Sequence, residues 1–152
     1  MKKKIIIIAA VLMAIGVAVF GYWTIAPIFI NKEVSESEPI AEQATKPMIA
    51  TATGKFTGIT YHEAEGTAKV LESGGKKFIR FEDDFKVTNG PDLFVYLGKN
   101  GKYDPAANLG ALKGNIGSQN YEIPESIDSD EYDSVWVWCR AFSVGFGVAE
   151  LK

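Results

Sequence analysis

The chain has one cysteine, Cys139, and one histidine, His62. Each shortage closes off a class of chemistry. A single thiol allows no internal disulfide and no two-thiol redox cycle, because the chain holds no resolving cysteine. Four-thiolate iron–sulfur clusters and structural zinc sites of the usual kind need more ligands than are present. A blue-copper site takes two histidines and a cysteine, which one chain cannot supply. There is no C-x-x-C-H for covalent c-type haem and no G-x-S-x-G elbow for a serine hydrolase. The sequence leaves the cofactor unknown; a non-covalent haem on His62, Cys139 or Met48 is compatible with the ligand count. Basic charge is also short: beyond residue 30 lie 13 basic residues against 19 acidic, a net of −6. Without a basic stripe, neither nucleic acid nor anionic lipid is an expected partner.

Charge is absent altogether from residues 5–30, a run of 26 that follows "MKKK". At about 1.5 Å per residue, 20 of these residues would cross a hydrocarbon core of about 30 Å. The three lysines before the run predict an amino end held in the cytoplasm. A cleaved signal peptide has a shorter apolar stretch, of about 7–15 residues, and a small-residue cleavage site. This run ends instead in "GYWTIAPIFI", whose Tyr22, Trp23 and Phe29 are interfacial types. Residues 1–30 are therefore expected to be a signal-anchor. They predict a single-pass protein of the cell membrane with its domain on the outer side. Residues 31–53, rich in Glu, Ser, Thr and Pro, show no apolar period and predict a flexible tether.

Residues 54–152 have the length of one compact domain. Turn residues recur every eight to twelve positions, and no segment has a convincing helical period, although "PAANLGALKG" could hold one turn. "GTAKVLE" and "KFIRFE" flank "SGGK" as a hairpin. "DLFVYLG", "SQNYEIP", "YDSVWVWCRAF" and "SVGFGVAEL" read as further strands. The prediction is an all-β fold, an antiparallel sandwich or small barrel, preceded by one transmembrane helix.

Strand alternation places Val135, Val137, Cys139 and Ala141 on one face and Trp136, Trp138, Arg140 and Phe142 on the other. The thiol is thus expected to point into a core of small apolar side chains, where free cysteines are inert. The external compartment argues the other way, because an unpaired cysteine there can be a reactive thiol. The outer face, with Trp136, Trp138, Arg140 and Phe142, is expected to be a cation–π ladder or a binding platform. Around them stand weaker candidates. His62 is a structural hydrogen-bonder or a ligand. Asn89 and Asp92, in "NGPD", form a turn with positive φ at Asn or Gly, or a ligand-binding rim. Tyr121, in "GNIGSQNY", is read as an exposed sugar or peptide contact. The carboxylate clusters "FEDDF" and "IDSDEYD" lack calcium-loop spacing and read as solvated loops.

Several blocks in this order carry a resemblance: "GKF" at 54–56, His62 followed by Gly66, "FKVTNGPDLFVYL", "LGALKGNIGSQNYEIP" and "VWVWCRAFSVGFGVAEL". They resemble the DM-thirteen domain family, an extracellular electron-transfer domain often found beside DOMON domains. The resemblance implies a β-rich extracytoplasmic domain with a redox role centred on Cys139, in its Trp-Cys-basic context. It also implies a redox partner, which the chain does not identify. The alternative is a non-catalytic cell-surface binding module for protein or glycan, with a structural Cys139.

Overall fold

The computed structural model describes residues 2–39 and 48–152. The chain begins with helix α1 (Lys2–Phe29). Within it, Lys3–Trp23 is long and apolar enough to cross a membrane. The consecutive residues Ile5, Ile6, Ile7 and Ile8 are all exposed, so every side of the helix there is left unpacked by protein. Such an all-round apolar surface suits lipid better than a globular core.

Ten strands follow: β1 (Ile49–Gly58), β2 (Ala64–Glu65), β3 (Thr67–Ser73), β4 (Lys76–Phe81), β5 (Lys86–Val87), β6 (Leu93–Lys99), β7 (Lys102–Ala111), β8 (Gln119–Ile123), β9 (Ser134–Cys139) and β10 (Val144–Glu150). Eight of them form one antiparallel sheet in the order β7-β6-β9-β10-β1-β3-β4-β8. The sheet curls until its edge strands, β7 and β8, come into contact. The result is a nearly closed barrel, as the all-β expectation required. The two remaining strands, β2 and β5, pair with each other.

Alternation decides what the barrel encloses. Phe56, Phe81 and Phe85 meet at its centre with ring centroids 4.5–4.9 Å apart. Val95, Leu97, Val135, Val137 and Cys139 come from the neighbouring strands, each at most 1 % exposed. The stretch "PAANLG", which could have held a helical turn, is strand in β7. Pro105 is tolerated there because β7 is an edge of the sheet and needs no donor on its open side.

One rim of the barrel receives the end of α1. The end of β1, the start of β6, the end of β9 and the start of β10 all lie at this rim, as the pairs Leu93↔Cys139, Val144↔Cys139 and Gly58↔Gly147 require. Asn31 lies two residues past the end of α1. Its Oδ1 accepts hydrogen bonds from Asn89 Nδ2 at 2.9 Å and Asn115 Nδ2 at 3.1 Å. Residues 32–36 then run parallel to residues 116–120. Val34 N–H donates to the Ile116 carbonyl and Glu36 N–H to that of Ser118, both at 2.9 Å.

Glu36 fastens this strap. Its carboxylate accepts from Lys113 Nζ at 2.8 and 2.9 Å and from the Asn120 N–H at 2.8 Å. Its carbonyl accepts from Ser118 Oγ at 3.0 Å and from Arg80 Nη1 at 3.2 Å. The strap thus lies over the seam between β7 and β8, whose open edge would otherwise expose unpaired backbone groups. Gly117 makes the approach possible. It has φ +89°, and a Cβ there would lie 2.2 Å from the Val34 carbonyl oxygen.

The described part of the 31–53 segment is therefore not a free tether. Its first residues are the strap and its last five, from Ile49, belong to β1. A polar composition withholds apolar burial, but it does not prevent backbone pairing with a waiting strand edge. Residues 40–47 lie outside the described residues.

Partial burial tends to raise the Glu36 carboxyl pKa. The hydrogen bonds and charge of Lys113, with those of Asn120, outweigh it and leave the group below its ordinary value of 4.5. A lowered carboxyl stabilises the fold fully above that ordinary value and less as pH falls through the folded one. Glu36→Gln is expected to cost about 1–2 kcal/mol, since the bonds are charge-assisted but the pair is partly exposed. Its penalty should shrink below about pH 4.5, where the wild-type carboxyl also becomes neutral. Gly117→Ala should destabilise the fold at every pH. Denaturant melts of the three proteins between pH 3 and pH 7 measure both effects.

Candidate functional site

The local sequence "SVWVWC" builds the centre of the site as a strand of strict period two. Val135, Val137 and Cys139 face inward at 0 % exposure, while Trp136 and Trp138 are half-buried on the outer face. Cys139 is a free thiol at the last position of β9. Its cross-strand neighbours are Leu93 on β6 and Val144 on β10. It belongs to the same core cluster as Val95, Val137 and Phe146. The inward orientation expected from alternation is observed.

Arg140 turns the other way. It is exposed, and its guanidinium grips Asp92 in a two-point contact, Nε to Oδ2 at 3.1 Å and Nη2 to Oδ1 at 3.2 Å. The same guanidinium lies 3.5 Å above the Phe94 ring. Arg140 N–H also donates to the Asp92 carbonyl at 3.0 Å. The cation expected to ladder with Trp138 is thus occupied by Asp92 and Phe94. Trp138 stacks instead on Tyr103 of β7, at 3.9 Å and 23°, and Tyr103 meets Tyr96 edge-on at 5.3 Å. This outer aromatic stack was not legible in the sequence, because the strand that carries Tyr103 was not recognised.

Two cavities open beside the rim. The larger, about 530 Å³, is lined by Tyr22 and Trp23 of α1 and by Pro91, Leu93, Phe94 and Leu112 of the barrel. Leu93, directly opposite Cys139, thus separates the thiol's strand from this space. The smaller, about 460 Å³, is polar and holds His62 with Glu63, Glu65 and Lys86. Asn31, Asn89 and Asn115 line both cavities, so the triad that clamps the anchor stands between them.

His62 stacks on the core ring of Phe146 at 3.5 Å and 11°. Its burial there holds the imidazole pKa below its ordinary value, so the ring is neutral near pH 7. His62 lines the smaller rim cavity, and neither Cys139 nor Met48 lines either of the two rim cavities. No group of three or more metal-ligating side chains is found among the described residues.

Two expectations need correction. Tyr121 is not exposed. It is 4 % accessible, donating to Gln119 Oε1 at 2.6 Å and accepting from Lys113 N–H at 3.0 Å. Burial pushes its phenol pKa well above the ordinary range. Tyr121 therefore closes the seam rather than meeting a ligand. In "NGPD", neither Asn89 nor Gly90 has positive φ. Gly90 is needed for space: a Cβ there would lie 2.9 Å from both Leu93 Cδ2 and Phe146 Cζ. The acidic clusters act as local ties. Asp84 binds Thr67 and Lys55, and Asp130 binds Lys77.

Residues 55–151 match the family described as electron transfer DM13. The chain belongs to this family. The match takes in nine strands whole and the last four residues of β1, and leaves α1 and the strap outside. No curated protein and no solved structure gives a match. Within the DM13 barrel, the buried thiol and the exposed Arg140–Asp92 pair are chain neighbours on opposite faces of one sheet.

Core packing at Cys139 sets a stability expectation. Cys139→Ser places a hydroxyl among apolar side chains and should cost about 1–3 kcal/mol. Cys139→Ala buries no polar group and should cost less. Equilibrium unfolding of the two variants gives the comparison.

Proposed function

We propose that this DM13 chain is a single-pass, outward-facing redox module of the cell membrane, with Cys139 as its redox group. Family membership is the observation that carries the redox reading. The apolar helix with lysines only at its amino end supports the topology. Because Cys139 is fully buried, its chemistry requires opening of the rim where β9 meets β6 and β10. One-thiol exchange is the form it takes. The Cys139 thiolate attacks a disulfide of a partner protein, the partner's S–S bond breaks, and one partner sulfur leaves as thiolate. The new bond is a mixed disulfide, and no net electron is gained or lost.

A second reading is favoured by that same complete burial. Cys139 is then a core side chain, and the barrel is a non-catalytic binding module for a protein or glycan at the cell surface.

Thiol labelling separates the two. Under the redox reading, the folded full-length protein forms a mixed disulfide across a series of glutathione potentials. Cys139→Ser and Cys139→Ala both abolish it while Cys139→Ala keeps the fold. A thiol that stays reduced and unlabelled at every potential leaves the binding module standing. Topology is tested in intact cells with Asn100→Cys, at the rim away from the anchor. A membrane-impermeant maleimide should label it, and labelling only after permeabilisation would reverse the orientation.

A further inference from the structure

Among the exposed large side chains of the barrel are Ile49, at 61 % at the far end of β1, and two aromatic ones, Tyr61 at 106 % and Phe142 at 65 %. Both aromatics sit at the anchor-side rim. Tyr61 lies in the turn that follows β1, where His62 N–H donates to the Ile59 carbonyl at 3.0 Å. Phe142 lies in the turn between β9 and β10, closed by Ser143 N–H donating to the Arg140 carbonyl at 3.3 Å. The turns are neighbours, since Ile59 N–H donates to the Phe146 carbonyl at 3.2 Å.

The Tyr61 turn is built against local preference. Thr60 has φ +54° and Tyr61 φ +67°. Two successive left-handed residues suit Asn, Asp or Gly, not a β-branched residue followed by an aromatic one. The fold accepts this strain and in return holds a phenol ring clear of the protein.

The rim also lies close to the apolar helix. α1 ends at Phe29, and Asn31 is already clamped to the barrel, so one residue separates helix from domain. The loop of residues 89–94 extends back along the helix far enough to share a cavity with Tyr22 and Trp23. Those two residues close the apolar span, where interfacial aromatics stand in membrane proteins.

We propose that the anchor-side rim is a bilayer-contacting surface, with Tyr61 and Phe142 seated in the headgroup region beside the anchor. Tyrosine and phenylalanine bring apolar surface to that boundary, and the phenol adds a polar tip. The contact is not electrostatic. The rim carries both signs: Arg140 is bound to Asp92, Lys86 shares its cavity with Glu63 and Glu65, and Lys32 is exposed beside the helix end. The surface should therefore hold neutral lipid as well as anionic lipid. The proposal rests on the anchor assigned above and goes beyond it, because a tethered domain need not touch the membrane.

The test uses the full-length chain in phosphatidylcholine nanodiscs. On a Cys139→Ala background, so that the native thiol takes no label, a fluorophore is placed on Ser143→Cys at the rim or on Asn100→Cys at the opposite end. Acyl-brominated phosphatidylcholine should quench the Ser143→Cys label and leave the Asn100→Cys label unaffected. Adding Tyr61→Gly and Phe142→Ser should abolish the quenching while the protein stays with the discs. Tyr61→Gly alone should raise the melting temperature, because it relieves the positive-φ strain. Co-elution with the discs but no quenching at Ser143→Cys overturns the rim contact alone. Failure to co-elute overturns the anchor, and the rim contact with it. Quenching that appears only with anionic lipid, or only at high rim charge, overturns aromatic seating as its basis.

Discussion

The Glu36 carboxylate is the contact on which the arrangement of this molecule depends. It lies upstream of every strand, yet its partners are Lys113, which follows β7, and Asn120, in β8. A curled sheet of eight strands has two edges, and here they meet without a continuous ladder of backbone bonds. The strap supplies what the ladder lacks. It pairs with residues 116–118 through its own backbone and draws Lys113, Arg80 and Asn120 to one carboxylate and one carbonyl. Because the strap leaves the helix at Asn31, the contacts that close the seam also fix where the anchor joins the barrel. Orientation and closure are one problem with one solution.

The same closure governs the thiol. Cys139 is one residue from an exposed turn, but its side chain points to the inside of a filled barrel. Its neighbour Arg140 takes the exposed side and is already neutralised by Asp92. The Trp-Cys-Arg triplet therefore splits its chemistry between two environments, an apolar core and a wet surface. Whatever the thiol does is controlled by the stability of the rim.

Much of the barrel was readable in the sequence because period two survives any choice of partner. It identified β3 with β4, and β6, β8, β9 and β10, and it turned Cys139 inward. The same rule, carried one strand further, would have buried Tyr121, which shares a face with Gln119 and Ile123 in "QNYEI". Tyr121 was misread because the amide-rich loop before it drew attention to solvent. β7 was hidden by Pro105 and two alanines, residues that disfavour strands except at an edge. The strap was hidden for a deeper reason. "NKEVSES" carries no period, and its pairing is legible only once the open edge beside β8 is known.

An edge that accepts a segment from outside the barrel works as a socket. The match to the DM13 family begins at Lys55, so the segment filling this socket lies outside the region matched to the family. The fit is specific in shape, since Gly114 and Gly117 leave room for the backbone of Lys32 and Val34 and for nothing bulkier. Closure by a segment that lies outside the barrel makes the fold's last step a docking event: the strap seats on an edge that is already formed, as an added strand does.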